Sequence, residues 1–224
     1  MSSEYKNKEI TKEELARMID HTLLKPEATY SEIINLCNEA KQYNFFAVCI
    51  NPVYVKLARE NLEDSSVKIA AVVSFPLGGD ETYVKSIEAE RAVKSGADEI
   101  DMVMNIGLLK SKNFLGVERD ICEVVNAVNP RIVKVIIETC LLSEQEKIIA
   151  STIVVSAGAQ FVKTSTGFNK SGATIEDVSL IRSVVGENFG VKASGGIRDY
   201  ETAIKMIRAG ASRIGASKSI DIIK

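Results

Sequence analysis

Four residues able to carry acid, base or nucleophilic chemistry recur at near-equal intervals: Asp101, Lys134, Lys163 and Lys192, at spacings of 33, 29 and 29 residues. One strand-helix-strand repeat takes about 30 residues, so matching positions on successive parallel strands would aim these side chains into one space. Lys163 lies in Gln160-Phe161-Val162-Lys163-Thr164-Ser165-Thr166-Gly167-Phe168, an apolar run that breaks into hydroxyls and a glycine, and Lys192 lies in Gly190-Val191-Lys192-Ala193-Ser194-Gly195-Gly196. A solvated lysine, with a pKa near ~10.4, is an ammonium ion with no lone pair to attack a carbonyl. Desolvation or a second cation nearby penalises the charged form and frees the amine for Schiff-base chemistry. Lys163 is therefore the candidate nucleophile and Lys192 its cationic neighbour. Asp101 is a carboxylate able to accept and return protons among them. The same four residues also suit a buried ion-pair network, and both readings stand open.

Positioning such a cluster requires strands that alternate with helices. Thr11-Lys12-Glu13-Glu14 is a capping-box pattern opening a short helix through Met18. Strands are predicted at Ile19 to Leu24, Phe45 to Asn51, Lys68 to Phe75, Glu99 to Asn105, Arg131 to Glu138, the two lysine stretches, and Arg213 to Ser217. Their near-continuous apolar runs fit strands buried on both faces, as in a parallel sheet. Between them, helices are expected from about Tyr30 to Tyr43, Pro52 to Leu62, after Gly78-Gly79-Asp80 as far as Gly96, Leu108 to Val128, Ser143 to Ser156, Thr174 to Val185, and Asp199 to Gly210. Eight such repeats over residues 1–224 make a single (β/α)₈ barrel domain, catalytic groups at the C-terminal strand ends, with a short N-terminal helix. A doubly wound open sheet ranks second. The sequence lacks GxGxxG and the phosphate loop ending in Gly-Lys-Ser/Thr, which weakens nucleotide readings of that sheet.

Glycines and hydroxyls close the last three strands: Thr166-Gly167, Ser194-Gly195-Gly196, and Gly215-Ala216-Ser217. Barrels hold phosphate on backbone N–H groups of the loops near strands seven and eight, so this set is the candidate phosphate shell.

Composition narrows the partners. Hydrophobic residues make up 46% and charged residues 26% of 224 residues, as in ordinary globular domains, and a net charge of −2 supplies no broad basic field for nucleic acid or an anionic membrane. The four cysteines, Cys37, Cys49, Cys122 and Cys140, have no ligand spacing and His21 is the single histidine, so neither a metal site nor another cofactor is expected. The first twenty residues carry no apolar core of a secretory signal, which makes the cytoplasm the expected compartment. A homo-oligomer, a dimer by base rate, is expected.

The chain resembles the deoxyribose-phosphate aldolase family over nearly its whole length. The resemblance runs through Ile19-Asp20-His21-Thr22, Val48-Cys49-Ile50-Asn51, Glu99-Ile100-Asp101-Met102-Val103, Lys134-Val135-Ile136-Ile137-Glu138, the two lysine stretches as far as Phe168 and Arg198, and Arg213-Ile214-Gly215-Ala216-Ser217. It implies a metal-free class I aldolase that reversibly cleaves 2-deoxy-D-ribose 5-phosphate to acetaldehyde and D-glyceraldehyde 3-phosphate, in deoxyribose phosphate catabolism. Lys163 then corresponds to the Schiff-base lysine, Lys192 to the neighbour that lowers its pKa, and Asp101 to the proton donor and acceptor. Lys134 would support Asp101, Asp20 and Thr166 would meet substrate hydroxyls or water, and Cys49 would line the site. Phe168 stands where some relatives carry lysine, and Lys218 where some carry a second serine. Another Schiff-base aldolase, a transaldolase-like enzyme, a metal-dependent aldolase and a non-catalytic sugar-phosphate-binding barrel are the competing readings.

Overall fold

Along residues 68–73 the side chains alternate: Ile69, Ala71 and Val73 join the large apolar cluster packed against helices, whereas Ala70 and Val72 form a small separate cluster with Leu24 and Cys49. Opposite faces of one strand thus serve two environments, as the period of two demands. The same division holds around a closed ring of eight parallel strands in a computed structural model that describes residues 10–224. The strands are β1 (Ile19–Leu23), β2 (Ala47–Ile50), β3 (Lys68–Val73), β4 (Glu99–Val103), β5 (Ile132–Ile136), β6 (Phe161–Lys163), β7 (Gly190–Ser194) and β8 (Arg213–Ala216). The last strand pairs with the first through Ile19 and Ile214, Asp20 and Gly215, and His21 and Ala216, which closes the barrel.

The helices are α1 (Lys12–Ala16), α2 (Tyr30–Gln42), α3 (Val55–Asn61), α4 (Thr82–Lys94), α5 (Ile106–Lys110), α6 (Phe114–Val128), α7 (Glu144–Ser156), α8 (Ile175–Val185), α9 (Tyr200–Arg208) and α10 (Ser219–Ile223). Full capping boxes start α1 (Thr11, Glu14), α2 (Thr29, Glu32) and α7 (Ser143, Glu146). Each satisfies two backbone N–H groups that a helix start leaves unpaired. None of the helices among the described residues is long and apolar enough to cross a membrane. The expected absence of a leader rests partly on residues 1–9, which lie outside the described residues.

The barrel expected from the sequence is present, with two local differences. The helix expected over 108–128 is divided, because Asn105 accepts from Leu108 N–H to start α5, Lys112 adopts a φ of 59°, and Asn113 accepts from Gly116 N–H to start α6. The segment from Pro52 begins as a 3₁₀ turn, Pro52–Tyr54, before α3.

Two buried contacts hold the scaffold around the site. Between α4 and α6, the Lys85 ammonium lies 2.6 Å from Asp120 Oδ2 and donates to Val103 O at the end of β4, with both side chains essentially without exposure. At β1, His21 Nδ1 meets Ser219 Oγ at 3.0 Å and Nε2 meets Glu39 Oε2 at 2.7 Å, while Ser219 Oγ donates to Ala216 O. His21 therefore ties α2 and the first turn of α10 to the closing strands.

Candidate active site

The inward faces of six strands place charge where a barrel of this size ordinarily packs aliphatic side chains. Lys163 and Lys192 are register partners on β6 and β7, and Asp101 and Lys134 are register partners on β4 and β5. Asp101 Oδ2 accepts from Lys163 Nζ at 2.7 Å and from Lys192 Nζ at 2.8 Å, and Oδ1 accepts from Lys134 Nζ at 2.6 Å. One carboxylate thus joins three ammonium groups. The spacing of 33, 29 and 29 residues does bring the four residues together.

The cluster extends beyond them. Lys192 Nζ also donates to Asp20 Oδ2, whose Oδ1 accepts from Arg213 at 3.0 Å. Glu99 Oε2 lies 2.6 Å from Lys134 Nζ and 3.2 Å from Arg213 Nη1. Four cations and three carboxylates therefore share the barrel interior, leaving one positive charge in surplus if all are ionised. Glu99 and Arg213 were not singled out from the sequence as site residues. The signal for both is parity, since each sits two positions before a residue that was, Asp101 and Gly215.

Burial makes that surplus costly. Asp20, Asp101, Lys134 and Lys192 have no exposure, and Lys163 has 3%. Although desolvation works against it, the lysines around Asp101, Lys134 first, hold its carboxyl well below the ordinary range. Lys192 and Arg213 lower Asp20 in the same way against its own desolvation. Lys192 is pushed up, Asp101 and Asp20 outweighing its desolvation. It is therefore a firm cation beside Lys163. Burial pushes the Cys49 thiol up, keeping it protonated, with Sγ 3.8 Å from Asp101 Oδ2.

Above the cluster, at the C-terminal strand ends, a cavity of about 270 Å³ opens. Lys163 is the one member of the ion cluster on its wall. Thr166, Gly167, Ser194, Gly195, Gly196, Gly215 and Ser217 line it too, so the whole candidate phosphate shell faces the space that Lys163 faces. Asp20, Cys49, Asp101 and Lys134 do not reach the wall. Asp20 is a buried partner of Lys192 and Arg213, its carboxylate accepting from both cations. Cys49 likewise packs with Leu24, Ala70 and Val72 rather than lining the cavity. The exposed cations Lys25 and Arg198 add positive charge to the wall.

Two features shape this wall. Glu138 follows β5 in left-handed conformation, φ 54°. Its buried carboxylate accepts from Thr166 N–H at 3.2 Å and Thr166 Oγ1 at 2.5 Å, and Thr166 Oγ1 accepts from Phe168 N–H. Glu138 thereby sets the loop after β6. Gly195 and Gly172 approach so closely that a Cβ on Gly172 would lie 2.1 Å from Gly195 O, which only glycine permits. Phe168 stacks edge-on against Phe75 with ring centroids 5.4 Å apart, an aromatic wall where a lysine would have added charge.

The arrangement can present an amine to a small carbonyl compound, keep a firm cation and a carboxylate next to it, and hold an anion at the far wall. Comparison with known proteins matches it to aldolases. The family model described as DeoC/LacD family aldolase matches residues 14–223. A deoxyribose-phosphate aldolase of Clostridium kluyveri is 62% identical over 213 residues, covering 95% of this chain and 98% of that protein. One from Thermococcus kodakarensis is 55% identical over 219 residues, covering 96% and 98%. The tetrameric deoxyribose phosphate aldolase of Aeropyrum pernix superposes with a TM-score of 0.91 at 34% identity, covering 99% of this chain and 94% of that one.

Proposed function

The chain belongs to the DeoC/LacD family of aldolases, and on that premise we propose that it reversibly cleaves 2-deoxy-D-ribose 5-phosphate to acetaldehyde and D-glyceraldehyde 3-phosphate through a Schiff base on Lys163. The observation that carries this reading is that Lys163 alone of the buried cluster opens onto the cavity, opposite the glycine and serine loops. The named relatives, at 55% and 62% identity over almost the whole chain, support the substrate.

In the proposed cycle, the Lys163 amine adds to C1 of the open-chain sugar, and the carbinolamine takes up one proton and loses water to give a cationic imine. The C3 hydroxyl then gives up its proton, the C2–C3 bond breaks, and its electron pair flows into the imine to leave an enamine. Protonation at C2 regenerates a cationic imine, and return of the water with loss of one proton releases acetaldehyde and the free amine. Lys192 keeps the charge near Lys163 unfavourable. Asp101, held ionised by three lysines, carries a proton only in passing, as the steps around the nitrogen demand. Lys134 fixes Asp101, and Asp20 fixes Lys192. Thr166 is the hydroxyl offered to the sugar, while Gly167, Ser194, Gly195, Gly196, Gly215 and Ser217 take the phosphate. Cys49 packs beneath the site. No cofactor or metal ion enters this cycle.

Residues 1–224 are read as one aldolase domain, active in the cytoplasm as a homo-oligomer. The test of the activity is a coupled assay for glyceraldehyde 3-phosphate release, together with borohydride trapping and peptide mapping. Turnover with the label on Lys163 is the expected result. Release without label on Lys163 would point to another mechanism, and binding without turnover to a non-catalytic barrel.

A further inference from the structure

Glu99 and Arg213 form the lower tier of the ion cluster, toward the N-terminal end of the barrel. Arg213 is buried between the carboxylates of Asp20 and Glu99 and the ring of Phe46, with its guanidinium carbon 3.5 Å from the ring centroid. Phe161 lies 5.4 Å away on another side. An arginine in such a place does not surrender its proton, so its charge is a fixed element of the interior. Glu99 is 3% exposed and bridges Arg213 to Lys134. Neither residue reaches the cavity above Lys163.

We propose that Glu99 and Arg213 are positioning residues whose charges set the balance of the buried cluster and through it decide how readily Lys163 presents a free amine. The inference rests on the Schiff-base role given to Lys163. The groups facing the interior are Asp20 from β1, Cys49 from β2, Glu99 and Asp101 from β4, Lys134 from β5, Lys163 from β6, Lys192 from β7 and Arg213 from β8, while β3 contributes Ala70 and Val72, its Lys68 of the same parity being exposed. With every ionisable group but the thiol charged, four cations oppose three carboxylates. Burial weakens the screening of this surplus, and the cluster meets open space only at its ends, beside Lys163 and, in a second cavity, beside Arg213, so release of a proton from one ammonium relieves it.

Contacts identify which one. Lys134 lies within 4.0 Å of three carboxylates, and Lys192 and Arg213 each touch two. Lys163 touches one, Asp101, and shares it with two other lysines. Of the three lysines it is also the one that borders a cavity, which gives its proton a path; Arg213 borders another but holds its proton. Without Arg213 the cluster would balance with Lys163 charged, and Lys192 alone would not free the amine. Without Glu99 the surplus would rise to two.

The test is the pH dependence of imine formation, read as the rate of cyanoborohydride trapping of 2-deoxyribose 5-phosphate on Lys163. The limb on which trapping rises with pH is compared among the parent, Glu99→Gln, Arg213→Met and the double variant. Glu99→Gln is expected to move the limb to lower pH and Arg213→Met to higher pH, each by about one unit, or roughly tenfold in rate at a fixed pH on the limb. The double variant restores a surplus of one, so its limb returns to the parental position. A role confined to folding would lower rates without moving the limb in opposite directions. Limbs that coincide, or that move the same way, overturn the inference while leaving the Schiff base intact. Absence of label on Lys163 in the parent overturns the Schiff base itself. Should one single variant fail to fold, the other carries the test beside Arg213→Lys, which keeps the charge and is expected to leave the limb in place; a limb displaced by that exchange overturns the inference.

Discussion

Lys163 and Lys192 are direct partners across β6 and β7, and their ammonium nitrogens share one oxygen of Asp101, at 2.7 and 2.8 Å. Only Lys163 borders the cavity. The two lysines are therefore alike in strand position but differ in access, which is the basis for giving them different roles.

That difference fixes the outcome of replacing each. Lys163→Ala removes the nucleophile and is expected to lower kcat by on the order of 10⁴-fold or more, with no borohydride label. Lys192→Ala leaves Asp20 and Asp101 short of a cation and removes the charge beside the Lys163 amine. It is expected to cost roughly 10²-fold in kcat and to retain the label on Lys163. Steady-state kinetics and peptide mapping of both variants decide it, and equal residual activity in the two would remove the division of roles.

Glu138 offers a separate handle on the cavity wall. Its carboxylate accepts from both the N–H and the hydroxyl of Thr166 in a buried setting, and hydrogen bonds to a charged acceptor exceed neutral ones in strength. Glu138→Gln retains one acceptor oxygen but places an NH₂ group against one of these donors. A fall in kcat/KM of roughly tenfold is expected, chiefly in KM because the loop meets the ligand, with urea unfolding showing a retained fold. Unchanged KM would mean that the loop is held by other contacts, such as Ala173 N–H on Ser194 O.

The degree to which these features could be read in the sequence differs with their physical origin. The barrel and the lysine-aspartate cluster were legible because repeat length and strand parity are periodic, and both survive in a linear string. Glu99 and Arg213 share the inward parity of Asp101 and Gly215, yet a charged residue opening a strand is ordinarily solvated, and only closure of the ring shows them facing inward. For Asp20 the family resemblance implies a place beside substrate hydroxyls or water. Its cationic partners come from β7 and β8, 172 and 193 residues later, so their claim on it appears only in three dimensions. Glu138 was hidden because a left-handed φ on glutamate has no sequence signature. The split between α5 and α6, by contrast, carried its signal in Asn105 and Asn113, both helix-starting residues.

The buried Lys85 and Asp120 pair predicts a stability effect without a change in chemistry. Lys85→Met leaves Asp120 charged, buried and short of its cation, for a loss of about 3–5 kcal/mol. Adding Asp120→Leu removes the stranded charge and is expected to recover a substantial part of that loss. Urea midpoints of the two variants and the parent provide the measurement. A single variant as stable as the parent would show that α4 and α6 are held by apolar packing alone.

His21 predicts a pH dependence that can be assigned to one residue, because the chain has a single histidine. Burial lowers its pKa below the ordinary value of 6.5, and the Glu39 carboxylate at 2.7 Å opposes this without cancelling it. The folded state thus resists a proton that the unfolded chain accepts. Stability contributed by neutral His21 is present above pH 6.5 and is lost as pH falls below it, at a slope of at most about 1.4 kcal/mol per pH unit. The single imidazole resonance in an NMR titration of the folded protein is expected to shift with a midpoint below 6.5. His21→Asn is expected to remove the corresponding decline in urea midpoint between pH 7 and 5. A folded-state midpoint above 6.5 would reverse the sign, making the Glu39 ion pair the stronger influence and acidification stabilising at this site.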